Sequence, residues 1–174
     1  MDHYFSICSA EMYYEKYMAF LLENYDQLRM PYSFPVALSF LASPVLMEGK
    51  AFLCFNDDDE VIGAFSYIYG TGENQYEDKH IVQIQVIYFL EQYRSSRLFL
   101  HAFQYVTEYI AYMEEDVKEF RFWTSADNSL RRLFAKIADR VASVETENGP
   151  LDEYRASFRA WQAYAARFQH EPFF

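Results

Sequence analysis

The stretch from Phe89 to Phe99 carries the residues best suited to chemistry. Arg94 and Arg97 bracket a serine pair, Ser95-Ser96, where an apolar strand gives way to a helix. The first turn of a helix leaves backbone N–H groups without intrahelical partners and carries the positive end of the dipole. A phosphate or pyrophosphate is stabilised there, and flanking guanidinium groups add charge-assisted hydrogen bonds. The same residues also suit an ordinary strand-to-helix connection whose arginines pair with surface carboxylates. Other chemistries lack their residues. There is no Cys-x-x-Cys pair, and His3, His80, His101 and His170 are scattered, so no metal site is expected. Gly70-Thr71-Gly72 lacks the third glycine and following helix of a dinucleotide loop, and no Gly-x-Ser-x-Gly elbow or P-loop occurs.

The elements that must position this stretch follow from the apolar pattern. With 52% hydrophobic and 24% charged residues in 174, the chain is expected to form one globular domain over 1–174. Tyr4 to Cys8 reads as a short strand, and Ser9 can cap a helix running to about Leu28, with Tyr13, Tyr17, Phe20, Leu21 and Leu28 along one face. Pro31, Pro35 and Pro44 bracket a shorter helical piece around Val36 to Leu41. Ala51–Phe55 and Val61–Tyr69 form a hairpin of strands apolar on both faces, so the sheet should be covered on both sides. A third strand, Ile81–Phe89, alternates Val82, Ile84 and Val86 with Gln83 and Gln85.

A helix follows with Leu98, Ala102, Tyr105, Tyr109 and Met113 on one face, then a strand from Glu119 to Thr124. Asp127 or Asn128 caps a helix whose Leu130, Leu133, Phe134 and Ile137 face inward. Arg140–Glu145 and Tyr154–Phe158 pair as a last hairpin around Asn148-Gly149-Pro150. The predicted class is α/β (α+β), a mixed twisted sheet in the order β-α-α-β-β-β-α-β-α-β-β. Trp161, Tyr164, Ala165 and Phe168 leave a C-terminal helix as an option.

Composition narrows the partners. A net charge of −11 disfavours nucleic acids and anionic membranes, which need clustered Lys and Arg. The acidic residues sit in groups such as Asp57–Glu60 and Glu145–Glu153; they read as solvated loops, or as a surface attracting cationic amines. No apolar run approaches a bilayer span. The Met1-Asp2-His3-Tyr4 start lacks the features of a signal peptide, and Cys8 and Cys54 lie in apolar stretches that suit buried thiols. Cytoplasm is the expected compartment.

The run Leu90-Glu91-Gln92-Tyr93-Arg94-Ser95-Ser96-Arg97-Leu98-Phe99 resembles the pyrophosphate loop of the GNAT N-acetyltransferases, in which Arg or Gln, two free positions, Gly, one free position and Gly or Ala wrap the pyrophosphate of acetyl-coenzyme A. The element order also resembles the family fold. Val61-Ile62-Gly63 resembles a run on the family's third strand, and Ser125-Ala126-Asp127-Asn128 through Leu133-Phe134 its later Asn-then-helix motif. Departures are clear. Arg97 and Phe99 stand at the two glycine positions, Phe134 at the tyrosine that often protonates the leaving thiolate, and Ile81, Val82 and Gln83 where a glutamate base often sits.

The resemblance implies an acyl-coenzyme A-dependent N-acyltransferase, with acetyl-CoA or another acyl-CoA as co-substrate and a small-molecule or peptide amine as acceptor; a homodimer is left open. It implies cofactor contacts at Arg94, Ser95, Ser96, Arg97, Leu98 and Asn128, and a carbonyl-polarising backbone N–H near Ile87 or Tyr88. Gln83 and Gln85 could orient the substrate, though both suit sheet residues facing a wet groove. His80 is a candidate base, and Tyr154 and Tyr164 are candidate acids that no motif places. The alternative is a catalytically inactive relative that binds a ligand or protein.

Overall fold

The computed structural model describes residues 2–174, in the order β1 (His3–Ile7), α1 (Glu11–Glu23), α2 (Tyr25–Leu28), α3 (Phe34–Leu46), β2 (Gly49–Asn56), β3 (Val61–Tyr69), β4 (Ile81–Phe89), α4 (Ser96–Tyr112), β5 (Glu119–Ser125), α5 (Asn128–Phe134), β6 (Asp139–Thr146), β7 (Gly149–Ser157) and α6 (Phe158–Ala166). The strands are hydrogen-bonded in the order β1-β2-β3-β4-β5-β7-β6. β4 and β5 pair in parallel, Ile81 with Glu119 through Gln83 with Arg121, and α4 is the crossover that a parallel pair requires. The mixed α/β class and the element order follow the sequence expectation, and the closing helix α6 is present.

Two compact units can be distinguished, one formed by the chain up to Ile68 with Ile84–Ser95, the other by Tyr69–Gln83 with Ser96–Phe174. In the first, Tyr17, Phe20 and Leu21 of α1 and Leu41 of α3 cover Ala51, Leu53, Phe55, Ala64, Val86 and Tyr88 of the strands. Phe52 stacks on Phe65 at 4.8 Å, so β2 and β3 are buried on both faces, as their continuous apolar runs require. The second unit is built on aromatic stacking: Trp161 of α6 lies 4.1 Å from Phe120, and Phe122 stacks on Tyr154 at 5.1 Å. The Trp161 indole N–H donates to the Ile137 carbonyl at 2.7 Å, which satisfies its one polar atom.

Three local expectations need correction. Ser9 does not cap α1; Ala10 holds the N-cap position with no side-chain bond. The helix expected to reach Leu28 breaks at Asn24, whose side-chain amide donates to the Phe20 carbonyl and competes with the helical ladder. α3 runs from Phe34 straight through Pro44 to Leu46. Proline has no N–H to give the carbonyl four residues earlier. The Ser43 hydroxyl donates to that Phe40 carbonyl at 2.7 Å in its place.

Candidate functional site

Loop geometry after β4 is fixed by residues of the first unit. β4 ends at Phe89, whose ring lies over Gly63; a Cβ there would fall inside the ring's van der Waals envelope. The chain then makes a 3₁₀ turn, Glu91–Tyr93. The Asn56 amide donates to the Tyr93 hydroxyl at 3.1 Å, tying this turn to the β2–β3 connection. Arg94 follows in extended conformation, φ −62° and ψ 127°. Its Nε donates to the Phe89 carbonyl at 2.7 Å, and its guanidinium carbon sits 5.1 Å from the centre of the Tyr88 ring. The cation is held by a hydrogen bond and a cation–π contact, while the residue stays exposed.

Ser95, Ser96 and Arg97 are exposed and Leu98 is buried, so the start of α4 buries its apolar side and presents its polar side to solvent. No acidic residue lies in the first turn of this helix, which extends over 17 residues. Its dipole is uncompensated by its own sequence there, and Arg94 and Arg97 add positive charge on either side. This arrangement is suited to an anion.

Other predicted residues are placed differently. Ile87 is exposed and Tyr88 buried, on opposite faces of β4 near its end. The Gln83 side-chain amide donates to the Gly70 carbonyl at 2.7 Å, holding a turn whose glycine sits at φ 82°. Gln85 donates to the Ser43 hydroxyl at 3.1 Å, which joins it to the repair of the Pro44 break. His80 is exposed at the opposite end of β4 from Ile87, with its carbonyl accepting from the Lys118 and Glu119 amides. Asn128 is the exposed first residue of α5; the cap is Asp127, whose Oδ1 accepts from the Ser129 and Leu130 amides.

Tyr154 is 1% exposed, between the rings of Phe122 and Phe134, and its hydroxyl has no partner among the described residues. Burial pushes its phenol upward. Tyr164 is half-buried on α6 against Phe103 and Phe168. Leu133, expected to face inward, is exposed, while Phe134 is buried against Phe122 at 4.9 Å. Arg131 of α5 forms a two-pronged pair with Asp152 at 2.7 and 3.0 Å, and that bond holds the Asp152 carboxyl below the usual carboxylate range.

The structure therefore brings Arg94 together with Tyr88 and leaves the serines and Arg97 beside it along the chain. The glutamine amides are given to the frame, and His80, Tyr154 and Tyr164 belong to the second unit. Tyr93 and Asn56 were missed as loop-fixing residues. Asn56 opens an Asn-Asp-Asp-Asp turn, and a turn signal carries no mark of a distant partner. Among the described residues no group of three or more His, Cys, Asp or Glu is arranged to hold a metal, and no helix is long and apolar enough to cross a membrane.

No protein-family model matches the chain. No curated protein sequence matches it either. Solved structures do. An N-acyl amino acid synthase from uncultured soil microbes superimposes with a TM-score of 0.67 at 12% identity, over 97% of this chain and 99% of that one. A putative GNAT acetyltransferase from Desulfovibrio desulfuricans gives 0.65 at 13%, over 90% and 99%. A spermidine N-acetyltransferase variant from Vibrio cholerae gives 0.63 at 9%, over 92% and 98%. At these identities the likeness is one of fold.

Proposed function

We propose that this chain, which has the fold of the GNAT acetyltransferases, is a divergent member of that family that moves an acyl group, acetyl in the simplest case, from acyl-coenzyme A to an amine in the cytoplasm. The observation that carries the reading is the start of α4: a long helix without acid in its first turn, reached from β4 through one 3₁₀ turn and bracketed by Arg94 and Arg97. Support for amine acceptors comes from the similar structures, whose names include a spermidine N-acetyltransferase and an N-acyl amino acid synthase.

In this reading the N–H groups of Ser95 to Leu98 and the two guanidinium groups hold the pyrophosphate of the acyl donor. A backbone N–H of Ile87 or Tyr88 polarises the thioester carbonyl as negative charge develops on its oxygen. The amine nitrogen forms its bond to the carbonyl carbon, the carbon–sulfur bond breaks, and the thiolate leaves. Gln83 and Gln85 each spend one of two N–H groups on the frame, so what they offer an amine is a carbonyl oxygen and one further N–H. Tyr154 is sealed among rings and Phe134 has no hydroxyl, so the amine loses its proton to water and the thiolate gains one from water. The rate should then rise with pH up to the amine's own pKa.

A second reading, a binding module that has lost turnover, is favoured by the same burial of Phe134 and Tyr154. Calorimetric titration with acetyl-coenzyme A, joined to acetyl transfer across a panel of amines and pH values, separates the two. Binding with transfer supports the enzyme; binding without transfer to any amine establishes the module. No binding at all would end the acetyltransferase reading and the reading of a coenzyme A-binding module, leaving a module for another ligand or a protein.

A further inference from the structure

β6 is the last strand of the sheet and pairs with β7 alone; all eight of its residues are exposed, including Val141 at 49% and Val144 at 53%. The other end of the sheet differs, since β1 is five residues long and buries Phe5. A long exposed edge presents a row of backbone donors and acceptors that another strand can meet, and such edges are normally shortened, covered or charged against pairing. The charges on β6 do the reverse.

The register with β7 shows which residues share a face. Arg140, Ser143 and Glu145 lie opposite Tyr154, Asp152 and Pro150, while Asp139, Ala142, Val144 and Thr146 lie opposite Arg155, Glu153, Leu151 and Gly149. The register shift between Arg140 and Ala142 leaves Val141 as the extra residue of a bulge. A two-fold axis perpendicular to the sheet, set through Ser143, then matches the strand to itself. Ser143 meets Ser143, Ala142 meets Val144, Arg140 meets Glu145 on the same face, and Asp139 meets Thr146. Each unlike pair occurs twice. Centring on Ala142 would set Asp139 against Val144 and leave Glu145 without its cation.

We propose that β6 pairs antiparallel with β6 of a second copy of this chain about Ser143, so that one sheet continues across two molecules. The pairing is isologous, so it closes at two copies and does not propagate. Backbone hydrogen bonds supply the adhesion, and the doubled Arg140–Glu145 contact fixes the register.

Sedimentation equilibrium of the full chain tests the pairing. The expected mass is about twice the 20.8 kDa of the chain. Glu145→Arg, at an exposed position, should raise the dimer dissociation constant about tenfold or more, and the double variant Arg140→Glu with Glu145→Arg should return it to within about threefold. Ser143→Cys should crosslink to itself under mild oxidation, because the native Cys8 and Cys54 are buried. Thr146→Cys should not, since its symmetry mate stands about 20 Å away, six residues along the pair. A wild-type mass of one chain at concentrations up to about 1 mM, or a Glu145→Arg dimer as tight as wild type, would overturn the proposal.

Discussion

The starts of α4 and α5 stand in opposite electrostatic company. α5 takes a carboxylate from its own chain: Asp127 accepts from two amides of the first turn, and Arg131 one turn on is committed to the buried Asp152. α4 has no acid in its first turn and arginines before and after its first residue. A helix whose first turn already bonds a fixed carboxylate has little left for an incoming anion. One whose neighbours are cations has been left to attract one. Motif resemblance pointed at both places, through Arg94 to Leu98 and through Asn128. The difference in charge supports α4 as the proposed place for phosphate, and the cap gives α5 a structural task.

The largest effect should come from breaking α5's internal pair. Arg131→Met takes the two-pronged bond from the buried Asp152 carboxylate and leaves it Ser143 and the charge of Arg140. The expected result is a clear loss of stability, smaller than for a pair buried on both sides because the arginine is partly exposed. Its sign with pH is diagnostic. The bond to Arg131 lowers the Asp152 pKa in the folded protein, so the stability it supplies is complete above the unfolded carboxyl value, about pH 4, and is lost as pH falls through the lower folded value. Urea unfolding should show the variant's deficit shrinking from pH 7 to pH 3, with acetyl-coenzyme A affinity of the folded protein retained.

Arg97→Glu is the matching break at α4. It should weaken acetyl-coenzyme A binding about tenfold in calorimetry, with the melting temperature nearly unchanged because the residue is exposed. Arg94→Glu should weaken binding at least as much, with a small stability loss from the bond to Phe89. The smallest effect is expected from Asp127→Ala. Removing the cap should cost about 1 kcal/mol in unfolding and leave ligand affinity as it was. If Asp127→Ala and Arg97→Glu reduce binding equally, the contrast between the two helix starts is lost.

Much of this was legible in residue order. β3 and β4 fall where their apolar runs and turn residues place them, because strands buried on both faces cannot slide without exposing side chains. Asp127 was legible as a cap because its signal is local. What escaped reading depends on partners distant in sequence. Pro44 marks a helix end by its own chemistry, and only the Ser43 hydroxyl and Gln85 behind it let α3 continue. Gln83 and Gln85 looked available to a substrate because alternation reveals a face and not what waits on it. Tyr154 suited a proton donor until Phe122 and Phe134 closed over it.

Asn56 shows how unevenly such a chain tolerates change. Its Oδ1 accepts from the Asp58 and Glu60 amides at 2.9 Å each, and its Nδ2 donates to the Glu60 carboxylate at 2.9 Å and the Tyr93 hydroxyl at 3.1 Å. All four hydrogen-bonding positions of the amide are in use. Aspartate, the nearest residue in shape, would turn the donating end into a second acceptor facing a carboxylate. A saturation scan of residues 56–60 should therefore find Asn56 as intolerant as an apolar core position, at the opening of a turn whose exposed Asp57 and Asp58 side chains accept substitution far more readily.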